Sequence, residues 1–506
     1  MSLESDEQNV DKTAFFAAVV VILLVSAPLL FAPEAAGRLL LDAYAFVANQ
    51  FGVLYIIAGC ATLIFLAWLA FSRYGSVVLG ESGVAPEFST YSWIGMLFCA
   101  GIGAGLMYWA CIEWAFYYQS PPYGVEPKSV DAARWASTYG VFHWGFTAWA
   151  FYCLPTLAIA YPFYVRKVPV LKFSISCDYF FRGNEKHPAA RLLDFLFMIA
   201  LIGGAGSSLG FSTPLIASLI SRLTGVEMGF GLEAFVVGLC VSLFAISVYL
   251  GLKKGIKRLS DFNLALAFIL VVFVFLAGPT LFLLKAAVTS IGTMLQNFVQ
   301  MNTWTDPFTE SRFVEDWTVF YWAWWIAYGP FVGLFVTRIS RGRTIREVIL
   351  GMLFYGSLGV ALFYLTLGNY ALFLETSGQL AVVDILNDSG GNQAIIASLE
   401  TLPWGELVIA MLCVVAIIFC ATTYDSASYI LAANATSRLH PSEDPPRWHR
   451  AFWAVALAIL PISLMYAGGI KMAQTMVLLV SLPLLAVGVL MSVSLVKSLQ
   501  EDHAVK

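Results

Sequence analysis

Long apolar runs separated by short polar connectors set the pattern of this chain. Twelve of them are long enough to cross a bilayer, near 14–32, 51–72, 90–118, 138–164, 191–222, 231–251, 260–285, 314–338, 345–374, 403–437, 449–467 and 470–497. A hydrocarbon core of about 30 Å takes roughly 20 apolar residues as helix. The pattern therefore predicts an all-α membrane protein with twelve transmembrane helices. Between about Lys285 and Thr305 the run is too interrupted to span, and it suits either a segment along the membrane surface or an ordered loop.

Composition agrees. At 506 residues, 59% hydrophobic and 12% charged, with a mean hydropathy of +0.79, the chain is too apolar for a soluble globular protein. The net charge of −4 says little about partners, and beyond the bilayer no nucleic acid is expected. The opening MSLESDEQNVDK is acidic, unlike a cleaved signal, so the first run should stay as a membrane helix. Basic residues cluster after the fourth run (Arg166, Lys167, Lys172, Arg182, Lys186), the sixth (Lys253, Lys254, Lys257, Arg258) and the eighth (Arg338, Arg341, Arg343, Arg346). The long connector from Glu375 to Leu402 has no Lys or Arg. By the positive-inside rule the even-numbered runs end in the cytoplasm, and both termini lie there. The eight cysteines sit nearly all inside apolar runs without CxxC spacing and read as packing residues; the five scattered histidines, His143 and His187 among them, argue against a metal centre.

Candidate chemistry begins with the eighth run. Trp317, Tyr321, Trp322, Trp324, Trp325 and Tyr328 share one apolar span, and Tyr328 falls one turn from Trp324 and Trp325 on the same face. Such rings suit core and interface packing, and grouped around a cavity they also hold a quaternary ammonium head through their negative faces. The fourth run adds Trp144, Trp149 and Tyr152, the last two on a shared face. The third run contains Gly101, Gly103 and Gly105, with Glu113 beyond. Alternate glycines open a helix or allow close packing, and open backbone at membrane depth belongs beside a cavity. The fifth run carries another small-residue stretch, Gly203 to Gly210, with Ser207 and Ser208. In the tenth, Thr422, Thr423, Asp425, Ser426 and Ser428 form a polar cluster, fit either for an ion path or for hydroxyls bonded back onto their own helix.

Together these motifs (DWTVFYWAWW, VTRISRGRTIRE, the third-run glycines and TTYDSAS) resemble the betaine/choline/carnitine transporter family across essentially the whole chain. The resemblance implies a LeuT-like five-plus-five inverted repeat preceded by two extra helices, and a homotrimer. Residues 1–89 would hold the N-terminus and the two extra helices, 90–285 the first repeat, 286–313 a connecting segment, 314–498 the second repeat and 499–506 a short tail. It implies an aromatic box of Trp144, Trp149, Tyr152, Trp324, Trp325 and Tyr328, completed by Phe331, Gly103 and Gly105. It also implies a sodium site from Cys99, Ile102, Phe419, Thr422 and Thr423, with Na+ as coupling ion and no organic cofactor.

Departures from the family pattern refine the expectation. The sodium-independent exchanger of the family carries Gln-Met where this chain has Phe331-Val332, and an Arg near the position of Asn263; this favours sodium symport, although Tyr108 to Tyr123 looks more like the exchanger. Gly105 stands where choline carriers place an acid, which implies a zwitterion: glycine betaine, carnitine or dimethylsulfoniopropionate. Leu201 and Ala205 offer no second sodium site, and the short tail argues against strong osmotic activation. The expected protein is a transporter of the bacterial inner membrane. Its rivals are a sodium-independent exchanger, a passive channel and a membrane enzyme using Glu113 or Asp425 as a base.

Overall fold

Proline at the first helical position and glycine or serine between runs punctuate this chain where the helices start and stop. The computed structural model describes residues 10–81, 83–100, 103–184, 186–249, 253–309, 311–436, 444–467 and 470–503. Among these the chain is all helical, with two isolated bridges, Val10 to Thr436 and Val78 to Thr344, and no strand. In chain order the helices are α1 Lys12–Phe31, α2 Pro33–Phe71, α3 Thr90–Ala100, α4 Ala104–Gln119, α5 Val130–His143, α6 Phe146–Tyr164, α7 Pro188–Thr224, α8 Phe230–Tyr249, α9 Lys253–Ala277 and α10 Thr280–Gln296. They continue as α11 Val319–Ile339, α12 Ile345–Thr376, α13 Val382–Ser389, α14 Gly391–Glu400, α15 Gly405–Asn434, α16 Arg447–Ala467 and α17 Ile470–Asp502.

Among the described residues every expected run falls largely on helix, but the count of spans by length and apolarity differs. Among the described residues ten helical stretches meet that measure, not twelve. The third run falls on two helices, α3 and α4, and α8 has only a short apolar stretch. The division at Gly103 is real backbone opening: its φ of −146° and ψ of 178° are extended, and α4 starts anew after it. The fourth run is divided as well, at Trp144 and Gly145 between α5 and α6. A Cβ on Gly145 would press on the Val141 carbonyl oxygen at 2.5 Å, so only glycine fits that corner. The stretch from Lys285 is helical, as the end of α10 and a short turn Phe298–Thr303, and the connector from 375 to 402 holds α13 and α14.

The centre of the bundle is the pairing of α6 with α11. Gly329 and Gly333 of α11 face the backbone of α6: a Cβ at Gly333 would lie 3.0 Å from the Thr156 nitrogen, and one at Gly329 would lie 2.9 Å from the Phe151 oxygen. Small residues here let two helix backbones touch, the usual basis of helix association in a bilayer. The small-residue stretch of α7 works the same way, with Gly204 against Tyr328 and Gly206 against Leu460. Large apolar side chains such as Leu24, Phe31, Ile64, Leu276 and Val288 stay exposed on the outside, where lipid would cover them.

One end of the bundle gathers the basic connectors. Arg166 pairs with Glu501 at 2.9 Å and Asp502 at 2.8 Å, Lys167 with Glu81 at 2.8 Å, and Arg346 donates to the Ala70 carbonyl at 2.8 Å. Arg343 is buried over the Trp93 ring at 4.1 Å. Val10 bridges to Thr436 at the foot of α15, so both ends of the described chain lie here.

α12 contains two π-helical turns, Met352–Gly356 and Tyr364–Gly368. The first brings Gly356 face to face with the Trp149 indole, where a Cβ would overlap the ring. Gly356→Val should therefore lower thermal stability in detergent by about 1–3 kcal/mol of overpacking. Gly95→Ala, with open space around it, should not, and thermal denaturation of the two purified variants checks this.

Candidate functional site

A cavity of about 630 Å³ runs from the centre of the bundle to its basic end. Its deep wall is aromatic. Trp144, Trp149, Tyr152, Trp324, Trp325, Tyr328 and Phe331 line it together with Gly103 and Gly105. All nine residues singled out around the aromatic faces thus meet on one surface.

Local geometry explains how. Trp324 and Trp325 stack nearly parallel, 5.2 Å apart and 8° from coplanar. Trp144 meets Trp325 edge to face at 4.7 Å, Tyr152 meets it at 5.9 Å, and Trp149 meets Tyr152 at 5.5 Å. Edge-to-face contacts set the positive rim of one ring on the negative face of the next, which holds the rings at fixed angles to one another. Gly105 closes this wall from below: a Cβ there would touch Trp324 at 3.4 Å and the Ser208 hydroxyl at 3.3 Å, so any longer side chain would project among the groups of the wall.

The polar side of the cavity comes from α15. Phe419, Thr422 and Thr423 line it, and both threonine hydroxyls donate to the Phe419 carbonyl, at 3.0 and 2.8 Å. α15 runs unbroken through this cluster, so these are the back-bonded hydroxyls of a continuous helix, with oxygen lone pairs left toward the cavity. Of the other residues singled out for an ion, Cys99 lies in the last turn of α3 and Ile102 lies outside the described residues. Among the described residues no group of three His, Cys, Asp or Glu is placed to hold a metal.

The mouth carries charge. Asp425 of α15 and Arg450 of α16 form a 2.8 Å ion pair, and the guanidiniums of Arg450 and Arg338 lie over the Tyr429 ring at 5.1 and 5.5 Å. Arg338, Ser426 and Asp261 are exposed here, so the cavity is open at this end. Asn263 is buried and donates to the Val415 carbonyl at 3.2 Å, and no cationic side chain stands at that position.

The opposite end is shut by a polar cluster that sequence reasoning did not assemble. Glu113, fully buried, accepts from Tyr117 at 2.5 Å, from Tyr321 at 2.5 Å, from Trp144 at 3.2 Å and from the Tyr364 hydroxyl. His143 joins it, 2.9 Å from the Tyr117 hydroxyl and 3.0 Å from that of Thr318. A signal was present: a carboxylate inside an apolar run, with Tyr117 four residues on and so on the same helix face. The remaining aromatics of the eighth run go elsewhere. Trp317 packs on Trp109 at 5.9 Å, and Trp322 turns to the back of α11, where its Nε1 would lie 3.1 Å from a Cβ on Gly59 of α2.

Comparison with known proteins gives a consistent picture. A family model described as "BCCT, betaine/carnitine/choline family transporter" matches residues 13–504. The "Uncharacterized transporter YeaV" of Escherichia coli is 38% identical over 86% of this chain and 91% of its own. A "Carnitine transporter" of Acinetobacter baumannii is 35% identical over 87% of this chain and 80% of its own. A solved Na+-coupled sialic acid symporter aligns over 82% of this chain and 78% of its own with a TM-score of 0.41 and 14% identity, a likeness too remote to carry anything further.

The Asp425–Arg450 pair is mostly buried, with 19% and 11% of the side chains exposed, so removing one partner leaves the other desolvated and alone. Arg450→Ala should destabilise the protein by about 3 kcal/mol, and Asp425→Ala added to it should recover part of that loss. Thermal denaturation of the two single variants and the double variant measures the coupling.

Proposed function

This chain belongs to the betaine/carnitine/choline family of membrane transporters, and from that premise we propose that it imports a zwitterionic onium compound by sodium symport. The observation that carries the reading is the single cavity in which six Trp and Tyr rings and the opened backbone at Gly103 meet. A trimethylammonium or dimethylsulfonium head rests against the rings, each desolvated face contributing about 1–2 kcal/mol. The substrate carboxylate points to the free end of α4 and to Ser208. Helix N-termini favour anions, and discontinuous helices in transporters use theirs this way. Glycine betaine, carnitine and dimethylsulfoniopropionate all meet these demands.

Sodium sits against Thr422, Thr423 and the Phe419 carbonyl, with the end of α3 opposite. Oxygen ligands of this kind suit a small hard cation. Asn263 supports coupling to an ion, because an exchanger that dispenses with sodium needs a fixed cation in its place. By the positive-inside rule the open mouth at Arg338 faces the cytoplasm, so the cavity is open to the inside. The chain works as a homotrimer in the bacterial inner membrane, with the repeats as 90–285 and 314–498. Alternating access follows from one repeat rocking against the other.

Two experiments test this. Trp324→Leu removes one ring face and should weaken binding of the preferred onium compound roughly fivefold to thirtyfold, by titration of the purified protein; unchanged affinity removes the box. Thr422→Ala with Thr423→Ala should abolish the stimulation of uptake by a sodium gradient in proteoliposomes. Uptake that ignores sodium in the unmodified protein, and runs only against preloaded substrate, would mark an exchanger instead.

A further inference from the structure

Glu113 has no part in the reading above, yet it stands directly behind the box. Four donors from four elements converge on its carboxylate: the Tyr117 hydroxyl on Oε1, and on Oε2 the hydroxyls of Tyr321 and Tyr364 and the indole N–H of Trp144. A tryptophan N–H can only donate, and four donors over two oxygens are the complement of an ionised carboxylate.

The proton positions follow from the same bonds. The single Tyr117 proton goes to Glu113, so His143 Nδ1 donates to the Tyr117 oxygen, and Nε2 shares a hydrogen bond with the Thr318 hydroxyl. His143 Nδ1 stands 3.9 Å from Glu113 Oε1. Among the described residues no Lys or Arg pairs with Glu113, and a cation brought near a buried carboxylate is favoured.

The space where that charge can come is the cavity. Trp144 touches Glu113 with its N–H and lines the cavity with its ring, and Tyr321, bonded to the same oxygen, stacks on Trp325 at 5.7 Å. Donation to an anion also pushes electron density into the donating ring and strengthens its negative face. We infer that Glu113 is the counter-charge of the substrate's onium head, acting through Trp144 and Tyr321, and so sets the preference for a cationic over an uncharged head. It is a positioning residue that the substrate does not touch. Its field also repels a carboxylate from the box, which fixes the substrate head-first. The inference rests on the cavity being an onium site.

The test compares glycine betaine with its uncharged-head isostere, 3,3-dimethylbutanoate, by titration of the purified full chain. Glu113→Gln should weaken glycine betaine by on the order of tenfold relative to the isostere, the effect of one unit charge across the width of a ring. Glu113→Met serves as a second charge-deleting variant if the Gln protein does not survive purification. Glu113→Asp should keep most of the preference, although it disturbs the packing at least as much. Equal loss for both ligands, or no change in their ratio, would show a merely structural acid and overturn the inference. Failure of the unmodified protein to bind glycine betaine, carnitine or dimethylsulfoniopropionate would overturn the onium site itself, and this inference with it.

Discussion

A carboxylate buried at the centre of an apolar bundle must be matched group for group, and Glu113 is matched from four directions. Each match fixes a different part of the chain: Tyr117 its own helix, Trp144 the corner between α5 and α6, Tyr321 the start of α11, and Tyr364 a π turn of α12. An unmet donor or acceptor there would cost a few kcal/mol, more than most single contacts in the bundle provide. The aromatic wall inherits its geometry from this point, since Trp144 and Tyr321 are at once ligands of the acid and neighbours of Trp325. Glycines make the convergence sterically feasible. Gly140 faces the ring of Tyr364, and Gly368 faces the Ala110 carbonyl, where a Cβ would come within 2.8 Å.

The second constraint is the opening at Gly103. A continuous helix offers no break in its backbone at mid-membrane, whereas α4 starts anew after Gly103, with the Leu106 N–H turned back onto the Gly103 carbonyl at 3.1 Å. The cavity therefore has three chemically distinct walls: aromatic faces from α6 and α11, extended glycine backbone at the head of α4, and hydroxyls from α15. A zwitterion and a small cation need that division of labour, and among the described residues the acids that line the cavity, Asp261 and Asp425, lie toward its mouth.

Much of this was legible in the sequence. The helical spans follow from apolar length alone, which depends on no distant contact. Trp324, Trp325 and Tyr328, or Trp149 and Tyr152, follow from spacings of three and four. The opening at Gly103 follows from three alternate glycines. What escaped depends on long-range meeting or on a local corner. Glu113, His143, Tyr321 and Tyr364 are far apart in the chain, and no spacing rule joins them. Trp144 reaches the acid because the helix turns at Gly145, and that turn is dictated by a carbonyl four residues back. Trp322 shares the span of Trp324 and Trp325 but points to α2, since each residue along a helix is a rotation of about 100°. In α13, Val382, Val383 and Leu386 form a buried face whose spacing was readable in a connector taken only as loop.

The π turns of α12 carry a consequence of their own. Each holds one residue more than an α turn, so each is a stored unit of register. Returning one of them to α geometry would rotate everything beyond it by about 100° and shift it by about 1.5 Å, without breaking the helix. Gly356, seated on Trp149, closes the first turn, and Tyr364, seated on Glu113, opens the second. The helix is thus indexed like a vernier against the two ends of the aromatic wall, and one click at the first turn would carry Tyr364 away from Glu113 along with everything beyond it.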